Sequence, residues 1–331
     1  MSFIFSKGSG VTDSAFGKSQ EPICAIIEAK QEWFEKNSAL PLLFKTKNSK
    51  HFAEKIASMT AMDDFLPVGE GGATPMIGMQ EGFSKVIEPE TWKGKFTMTQ
   101  EMVEDGTLMS SGKPEAFSTS FYRSKEKFGL QLYANAVSGK DMTLNGRTFN
   151  TLSNDKVCQF ATNHLSVVDK KKTQSNRFKL AFSVDNLSKV QTAMQNFQDD
   201  KGNYLSVAPN TIVIPNYAPI KRDVFAAIGA DKDPNTANNG FNYQFGMWNV
   251  IINQELNSLI TSTNCPWILM DSNYNDNYFG AVWLDRVPLT VRSDIDPNTD
   301  DNIWKGRARF TAAFNDWRFA AVSGVTDGSE L

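Results

Sequence analysis

One stretch of the chain, Asp63 to Met98, constrains the fold most because its composition does not suit packing within a single compact domain. It holds six glycines and three prolines, which interrupt regular structure. Loops longer than about 12–15 residues are uncommon in compact domains and are usually functional or disordered. Disordered segments have few aromatic residues, but this stretch has four, so we expect an extended arm whose apolar groups are covered by a neighbouring subunit. Its apolar residues are Phe65, Met76, Ile77, Met79, Phe83, Val86, Ile87, Trp92 and Phe96.

Composition excludes several classes of protein. Of the 331 residues, 40% are hydrophobic and 21% are charged, as in ordinary globular proteins. The formal net charge of −3 gives no overall signal for nucleic-acid or anionic-membrane binding, although a local basic patch acts independently of the total. No apolar run approaches the roughly 20 residues of a membrane-spanning helix, so we expect no membrane partner. The N-terminus lacks the features of a signal peptide, and three scattered cysteines indicate reduced thiols in the cytosol.

Helical and strand patterns alternate outside this arm and predict an α+β fold without internal repeats. The clearest helix runs from Pro114 to Gly139, with a proline at its start and a glycine where a left-handed residue ends many helices. Its apolar residues recur at spacings of four and seven, which gives one apolar face. Other predicted helices are 23–34, 100–105, 185–197 and 220–228; predicted strands are 92–99, 211–215, 245–252, 267–270, 279–283, 289–292 and 307–315; and 231–241 is a predicted loop.

No constellation of residues indicates catalysis, a metal or a cofactor. The two histidines and three cysteines form no zinc-binding spacing. The acidic segments that begin at Asp271 and Asp294 lack the glycine and glutamate of a calcium-binding loop, so we interpret both as polar turns, with adventitious cation binding as the alternative. The glycines at 69, 71 and 72 do not continue into a dinucleotide-binding motif. We therefore expect no catalytic, metal-binding or cofactor-binding residues.

A basic cluster near the N-terminus allows two interpretations. Lys45, Lys47, Lys50 and Lys55 have only Glu54 against them in the sequence. Such clusters usually form a solvated face. The alternative is contact with phosphates or with an acidic partner, which makes Lys45, Lys47 and Lys50 candidate DNA-facing residues.

Four segments carry a resemblance that no single motif provides. They are WKGKFTMTQEMVED from residue 92, LSVAPNTIVIP from 205, CPWILMD from 265 and ARFTAAFNDWR from 308. Their order and spacing resemble the major capsid proteins of tailed bacteriophages, which have the HK97-like fold, and most closely the Mu-type major head subunit.

The resemblance implies a division of the chain into named parts. Residues 1–62 would form an N-terminal arm, and 63–98 would form the E-loop, which reaches over an adjacent subunit. Residues 99–210, completed by 300–331, would form the P domain with its long spine helix, and 211–299 the A domain. The absence of a long coiled-coil extension implies that scaffolding comes from another protein. The implied inter-subunit contact residues of the E-loop are Phe65, Met76, Ile77, Phe83, Trp92 and Phe96.

The resemblance also implies a function and a set of partners. The chain would be a structural protein, not an enzyme, that assembles with itself through pentamers and hexamers into an icosahedral shell. Its partners would be a scaffolding protein, a portal, non-specifically bound double-stranded phage DNA and decoration proteins. It would be located in the virion after assembly in the host cytoplasm. The alternatives are an encapsulin-like nanocompartment shell and an enzyme with an unrecognised site.

Overall fold

The computed structural model describes residues 30, 33–59, 65–78, 81–104, 112–169, 171–229 and 242–331. These residues form a mixed fold built on two four-stranded sheets, which confirms the predicted α+β class. Within the described ranges, no helix is both long and apolar enough to cross a membrane. The helices described over their full length are α1 (Leu40–Leu43), α2 (Gln100–Glu104), α3 (Lys113–Ser138), α4 (Val184–Gln195), α5 (Ala218–Gly229) and α6 (Ser272–Tyr278), with 3₁₀ turns at Gln254–Leu259 and Trp317–Phe319; residues 33–37 are also helical.

The strands fall into the two sheets and three short pairs. The first sheet has the order β1-β12-β13-β4, and the second has the order β10-β9-β11-β14. Strands β2 and β3, β5 and β6, and β7 and β8 form antiparallel pairs. Their bounds are β1 (Lys45–Asn48), β2 (Glu54–Met59), β3 (Glu81–Ile87), β4 (Glu90–Met98), β5 (Met142–Leu144), β6 (Arg147–Phe149), β7 (His164–Leu165), β8 (Thr173–Gln174), β9 (Thr211–Pro215), β10 (Asn249–Asn253), β11 (Trp267–Met270), β12 (Ala281–Ile295), β13 (Asn302–Phe314) and β14 (Ala320–Ser323).

The long helix α3 lies against the first sheet and confirms the predicted helix almost to the residue. Its 26 residues span about 39 Å at ~1.5 Å per residue. Gly139 ends it in the left-handed conformation, at φ 70°. The ring of Phe128 lies 5.2 Å from that of Trp92 and 5.8 Å from that of Trp283, so α3 and the sheet share one aromatic core.

The second sheet has a fully buried centre. Every residue of β9 is buried, as the short apolar run from Thr211 predicts. Strand β10 runs parallel to β9, whereas β11 is antiparallel to both β9 and β14. The predicted strands 211–215 and 267–270 are confirmed at both ends, and β14 was not predicted.

The second half of the predicted arm is regular structure. Strand β4 pairs with β13 from Glu90 to Met98, which confirms the strand predicted from Trp92, whereas the pairing of β3 with β2 was not predicted. The physical reason is alternation: Trp92, Phe96 and Met98 face the core, whereas the lysines between them face solvent. Residues 65–78 remain outside any strand.

Three other predictions need correction. The segments 279–283 and 289–292 belong to one strand, β12, whose register shifts between Asp285 and Thr290. The segment after Asp271 is helix α6 rather than a turn, because the Asp271 carboxylate accepts a hydrogen bond from the Tyr274 amide at 2.9 Å and caps it. Strand β10 begins at Asn249, four residues after the predicted start at 245. The predicted loop 231–241 and most of the predicted helix 23–34 lie outside the described residues.

Candidate interaction surface

Residues 65–78, here called the exposed segment, present apolar side chains to solvent. Phe65 is 91% exposed and Met76 is 99% exposed. A turn bends the segment, in which the Gly72 amide donates to the Gly69 carbonyl at 2.9 Å. Single exposed apolar residues are normal, but several on one short segment mark an interaction site. Leu66 and Val68 are also more than half exposed.

A two-stranded stem, formed by β2 and β3, carries the exposed segment and is fixed to the first sheet. Ile56 and Ile87 of the stem pack on Val282 and Leu284 of β12. The Lys85 ammonium inserts into the body and donates to the carbonyls of Leu152 and Phe314. Burial lowers the pKa of Lys85 to about 8. The base of the arm is therefore anchored within its own subunit.

The six predicted contact residues separate into two groups. Phe65 and Met76 lie on the exposed segment with almost no intramolecular cover, whereas Ile77 and, on β3, Phe83 are half-buried. Met76 and Phe65 are thus the side chains of this group most available to a neighbour.

Trp92 and Phe96 form the second group, and both pack inside their own subunit. The Trp92 ring stacks on Phe310 at 4.8 Å, and its indole N–H donates to the Phe310 carbonyl at 3.1 Å. The Phe96 ring stacks on Trp304 at 5.1 Å. These two rings therefore belong to the core of their own subunit, because β4 turns this face towards α3.

The predicted basic cluster is partly neutralised by intramolecular ion pairs. Lys45 Nζ lies 3.3 Å from Asp276 Oδ1, and Lys47 Nζ lies 3.2 Å from Glu54 Oε2. A hydrogen bond from Ser49 and the contact with Lys47 lower the pKa of Glu54. Lys50 is exposed and forms no ion pair within the described part of the chain. Three lysines close in sequence thus provide less net positive charge than their spacing suggests.

A second basic surface was missed by sequence reasoning. Here called the basic sheet face, it lies on the solvent side of β12, β13 and β4. Its residues come from positions about 200 residues apart, and only strand register brings them together. Lys95, Lys305 and Arg292 form one row across three strands, and Lys93 and Arg307 lie opposite each other in the next row.

A polar junction around His164 is buried in the interior of the protein. His164 Nδ1 lies 2.7 Å from Asp155 Oδ2, and both side chains are inaccessible to solvent. The imidazole stacks on Trp317 at 4.3 Å, and its Nε2 lies 3.2 Å from Asn176 Oδ1. Among the residues that the structure describes, no His, Cys, Asp and Glu side chains are grouped to hold a metal ion.

This junction predicts a specific loss of stability in acid. Burial on its own raises the pKa of Asp155, but hydrogen bonds from His164, Val157 and Ser153 hold that pKa below its ordinary value of 3.8. A carboxylate with a depressed folded-state pKa stabilises the fold above its unfolded pKa, and this contribution is lost as pH falls through the folded pKa. We expect Asp155→Asn to lower the free energy of unfolding by about 1–3 kcal/mol at pH 7.

Urea denaturation at several pH values tests this expectation. The difference between the wild type and Asp155→Asn must begin to shrink as the pH falls below about 4, where the carboxylate of the unfolded chain is protonated, and must be lost once the pH is below the depressed folded-state pKa, because Asp155 is then uncharged in both states. Asp300→Asn, at an exposed carboxylate that forms no ion pair among the described residues, is the matched control and should give little difference at any pH. A wild-type advantage that stayed constant down to pH 2 would show that ionisation of Asp155 does not contribute.

Comparison with known proteins gives one family and a set of similar folds. The family model described as phage capsid protein matches residues 82–323. The capsid of the cyanophage P-SCSP1u superposes with a TM-score of 0.53 at 8% identity, over 86% of this chain and 87% of that chain. A virus-like particle from Pyrococcus furiosus superposes with a TM-score of 0.51 at 9% identity, over 92% and 98% of the two chains. No curated protein matches the sequence. At these identities the structural likeness concerns the fold alone.

Proposed function

This chain belongs to the phage capsid protein family, and from that premise we propose that it assembles through pentamers and hexamers into an icosahedral shell around double-stranded phage DNA. The observation that carries the proposal is the family match, which covers residues 82–323 and so most of the chain. The chain is a major capsid shell protein with an HK97-like α+β fold. Within the family we propose a Mu-type head subunit, since the four segments that resemble it fall within the matched range.

We propose the P and A domains with a boundary that differs from the sequence-based one. The first sheet and α3 would form the P domain, and the second sheet with α5 the A domain, together with α4 (Val184–Gln195), which the sequence-based division placed in the P domain. Strand β12 pairs with β13 along most of its length, so the A domain would end near residue 279 rather than 299. The returning C-terminal segment would serve both domains, because β13 joins the first sheet and β14 joins the second.

The E-loop would consist of the β2–β3 stem and the exposed segment. In a shell, each subunit has several neighbours, and later contacts form effectively within one particle, so each contact can be weak. The stem fixes the direction of the arm, and the exposed segment supplies apolar area for an adjacent subunit. Phe65 and Met76 would contribute most, since their exposure in the isolated chain is greatest.

We propose a structural role without enzymatic activity, and the partners of a tailed-phage head. A scaffolding protein would direct curvature, a portal would occupy one vertex, and decoration proteins would bind the outer surface. Assembly would take place in the host cytoplasm. An encapsulin-like compartment gains no additional support, since the family match is to phage capsid proteins.

Sedimentation velocity of the recombinant chain, with negative-stain images of the fastest fraction, tests the proposed function. We expect shells, tubes or capsomers, either from the chain alone or with the scaffolding protein from the same genome. A monomer or dimer that persisted with scaffolding protein present would contradict the proposal and favour the enzyme alternative.

The basic cluster predicts an effect on DNA that leaves assembly intact. Lys45→Gln, Lys47→Gln and Lys50→Gln together remove three positive charges, and we expect lower DNA retention with normal shells. Nuclease-protected DNA per particle measures the effect, and Lys171→Gln/Lys172→Gln/Lys189→Gln, three exposed lysines elsewhere, is the control. DNA retention equal to that of the wild type would show that these three lysines do not contact the DNA.

A further inference from the structure

The basic sheet face carries more positive charge than its own subunit neutralises. Lys93 lies opposite Arg307, and Lys305 lies between Lys95 and Arg292. Like charges directly opposite each other on neighbouring strands are destabilising. Lys305 is neutralised by Asp294, 2.8 Å away. Within the described residues, the other four cations form no ion pair.

The turn that joins β12 to β13 carries the opposite charge. This acidic turn, residues 296–301, contains Asp296, Asp300 and Asp301. Its backbone is held in shape, because the Asp300 amide donates to the Asp296 carbonyl at 2.9 Å and the Asp296 amide donates to the Asp301 carbonyl at 2.9 Å. These three carboxylates form no ion pair with any residue that the structure describes, and Asp300 is exposed.

The two surfaces cannot neutralise each other within one subunit. They belong to the same sheet: the basic face is directed perpendicular to the strands, whereas the acidic turn extends beyond their ends. Complementary patches at different positions on one chain generate head-to-tail contacts between copies, which close into rings when the rotation permits.

We propose that the acidic turn of one subunit docks on the basic sheet face of another copy of this chain. The inference rests on the proposed shell function and deepens it by naming one of its contacts. Three unpaired carboxylates face four unpaired cations, so the charges on the two patches are nearly matched. We take a second copy rather than DNA as the occupant, because the chain itself supplies a matching acidic patch whose backbone is held in shape and whose carboxylates form no ion pair among the described residues.

The contact must be direct to matter under physiological conditions. Charges separated by more than about 8 Å are largely screened at 0.15 M ionic strength. The acidic turn would therefore lie on the basic rows themselves, and the rate of shell formation would fall as salt is added.

Charge reversal on each side, alone and combined, tests the proposal. Lys95→Glu/Arg307→Glu reverses the face, and Asp300→Lys/Asp301→Lys reverses the turn. Each change alone is expected to lower shell yield by at least about tenfold, because like charges then meet at the contact. The chain that carries all four changes is expected to recover to within about threefold of the wild type. Lys172→Glu/Lys189→Glu, with the same change in charge on exposed lysines elsewhere, should leave the yield unchanged.

The outcomes separate this contact from misfolding and from the proposed function. Reversal of the face relieves like-charge pairs, so the thermal midpoint of the unassembled variant should be no lower than that of the wild type. If this variant nevertheless unfolds, Lys95→Gln/Arg307→Gln is tested in its place. Its assembly must depend less on salt concentration than that of the wild type, and an equal dependence would overturn the proposal. If the variant with all four changes does not recover shell yield, the proposal is also overturned. It is likewise overturned if Lys95→Glu/Arg307→Glu forms normal shells that retain less DNA, because the basic sheet face would then contact DNA. If the wild type forms no particles at all, the proposed function fails instead.

Discussion

Replacement of residues 66–77 by a Gly/Ser linker of equal length is expected to abolish shell formation while the subunit stays folded. The exposed segment makes no strand pairing with its own subunit, and Leu66, Val68 and Met76 are largely exposed. Complete burial of one large apolar side chain contributes about 1.5–3 kcal/mol. Loss of several such contacts at every subunit would make each neighbour contact too weak to hold a particle together. The stem and its Lys85 anchor remain, so the thermal midpoint should change little.

Electron microscopy and sedimentation of the linker variant measure the effect, with Glu70→Gln/Thr74→Ser as the control. That control changes two side chains of the same segment without removing apolar area, so it should assemble as the wild type does. A single change, Met76→Ser, is expected to reduce the yield rather than abolish it. Normal particles from the linker variant would exclude the exposed segment from the assembly contacts.

Phe310→Ala is expected to lower the free energy of unfolding by about 3–5 kcal/mol, since truncation of a fully enclosed aromatic ring leaves a large cavity. Phe310 is 2% exposed, and its ring lies 4.8 Å from that of Trp92 and 5.2 Å from that of Trp283. Helix α3 closes the same cluster through Phe128, 6.1 Å away. The cluster joins both neighbours of β13 in the first sheet to the long helix, so the change weakens the centre of the proposed P domain.

Urea denaturation of the unassembled subunit gives the comparison, and Phe52→Ala serves as the matched control. Phe52 is 67% exposed, so removal of the same ring there should change the free energy of unfolding by less than about 0.5 kcal/mol. Equal effects of the two substitutions would show that the aromatic cluster does not hold the sheet and helix together. Shell yield should fall in the Phe310→Ala variant and stay at the wild-type level in the Phe52→Ala variant.

Local sequence signals predicted those elements whose cause is local. Helix α3 follows from a four-and-seven apolar spacing between a proline and a glycine, and β9 follows from a short run of buried apolar residues. Glycines and prolines indicated an extended loop for residues 81–91, but the pairing of β3 with β2 overrode that signal. Close packing does not require a glycine at position 94 of β4, since an added Cβ would meet Phe117 only at 3.5 Å, an ordinary contact.

The candidate surfaces likewise depend on contacts between residues far apart in the sequence, which local sequence signals do not predict. The exposure of Phe65 and Met76 agrees with the composition of their segment, whereas Trp92 and Phe96 could be assigned to the core only through strand register. The basic sheet face could not be read from the sequence, because its rows combine β4 with strands about 200 residues later. The ion pair of Lys45 could not be predicted from the neighbouring sequence, because its acidic partner, Asp276, is distant along the chain.

A cryo-electron microscopy reconstruction of the particles formed by the wild-type chain tests the central claim most directly. We expect a closed shell in which subunits surround five- and six-fold axes and residues 65–78 lie on an adjacent subunit. A discrete small oligomer formed in the presence of scaffolding protein, with residues 65–78 folded onto their own subunit, would contradict it.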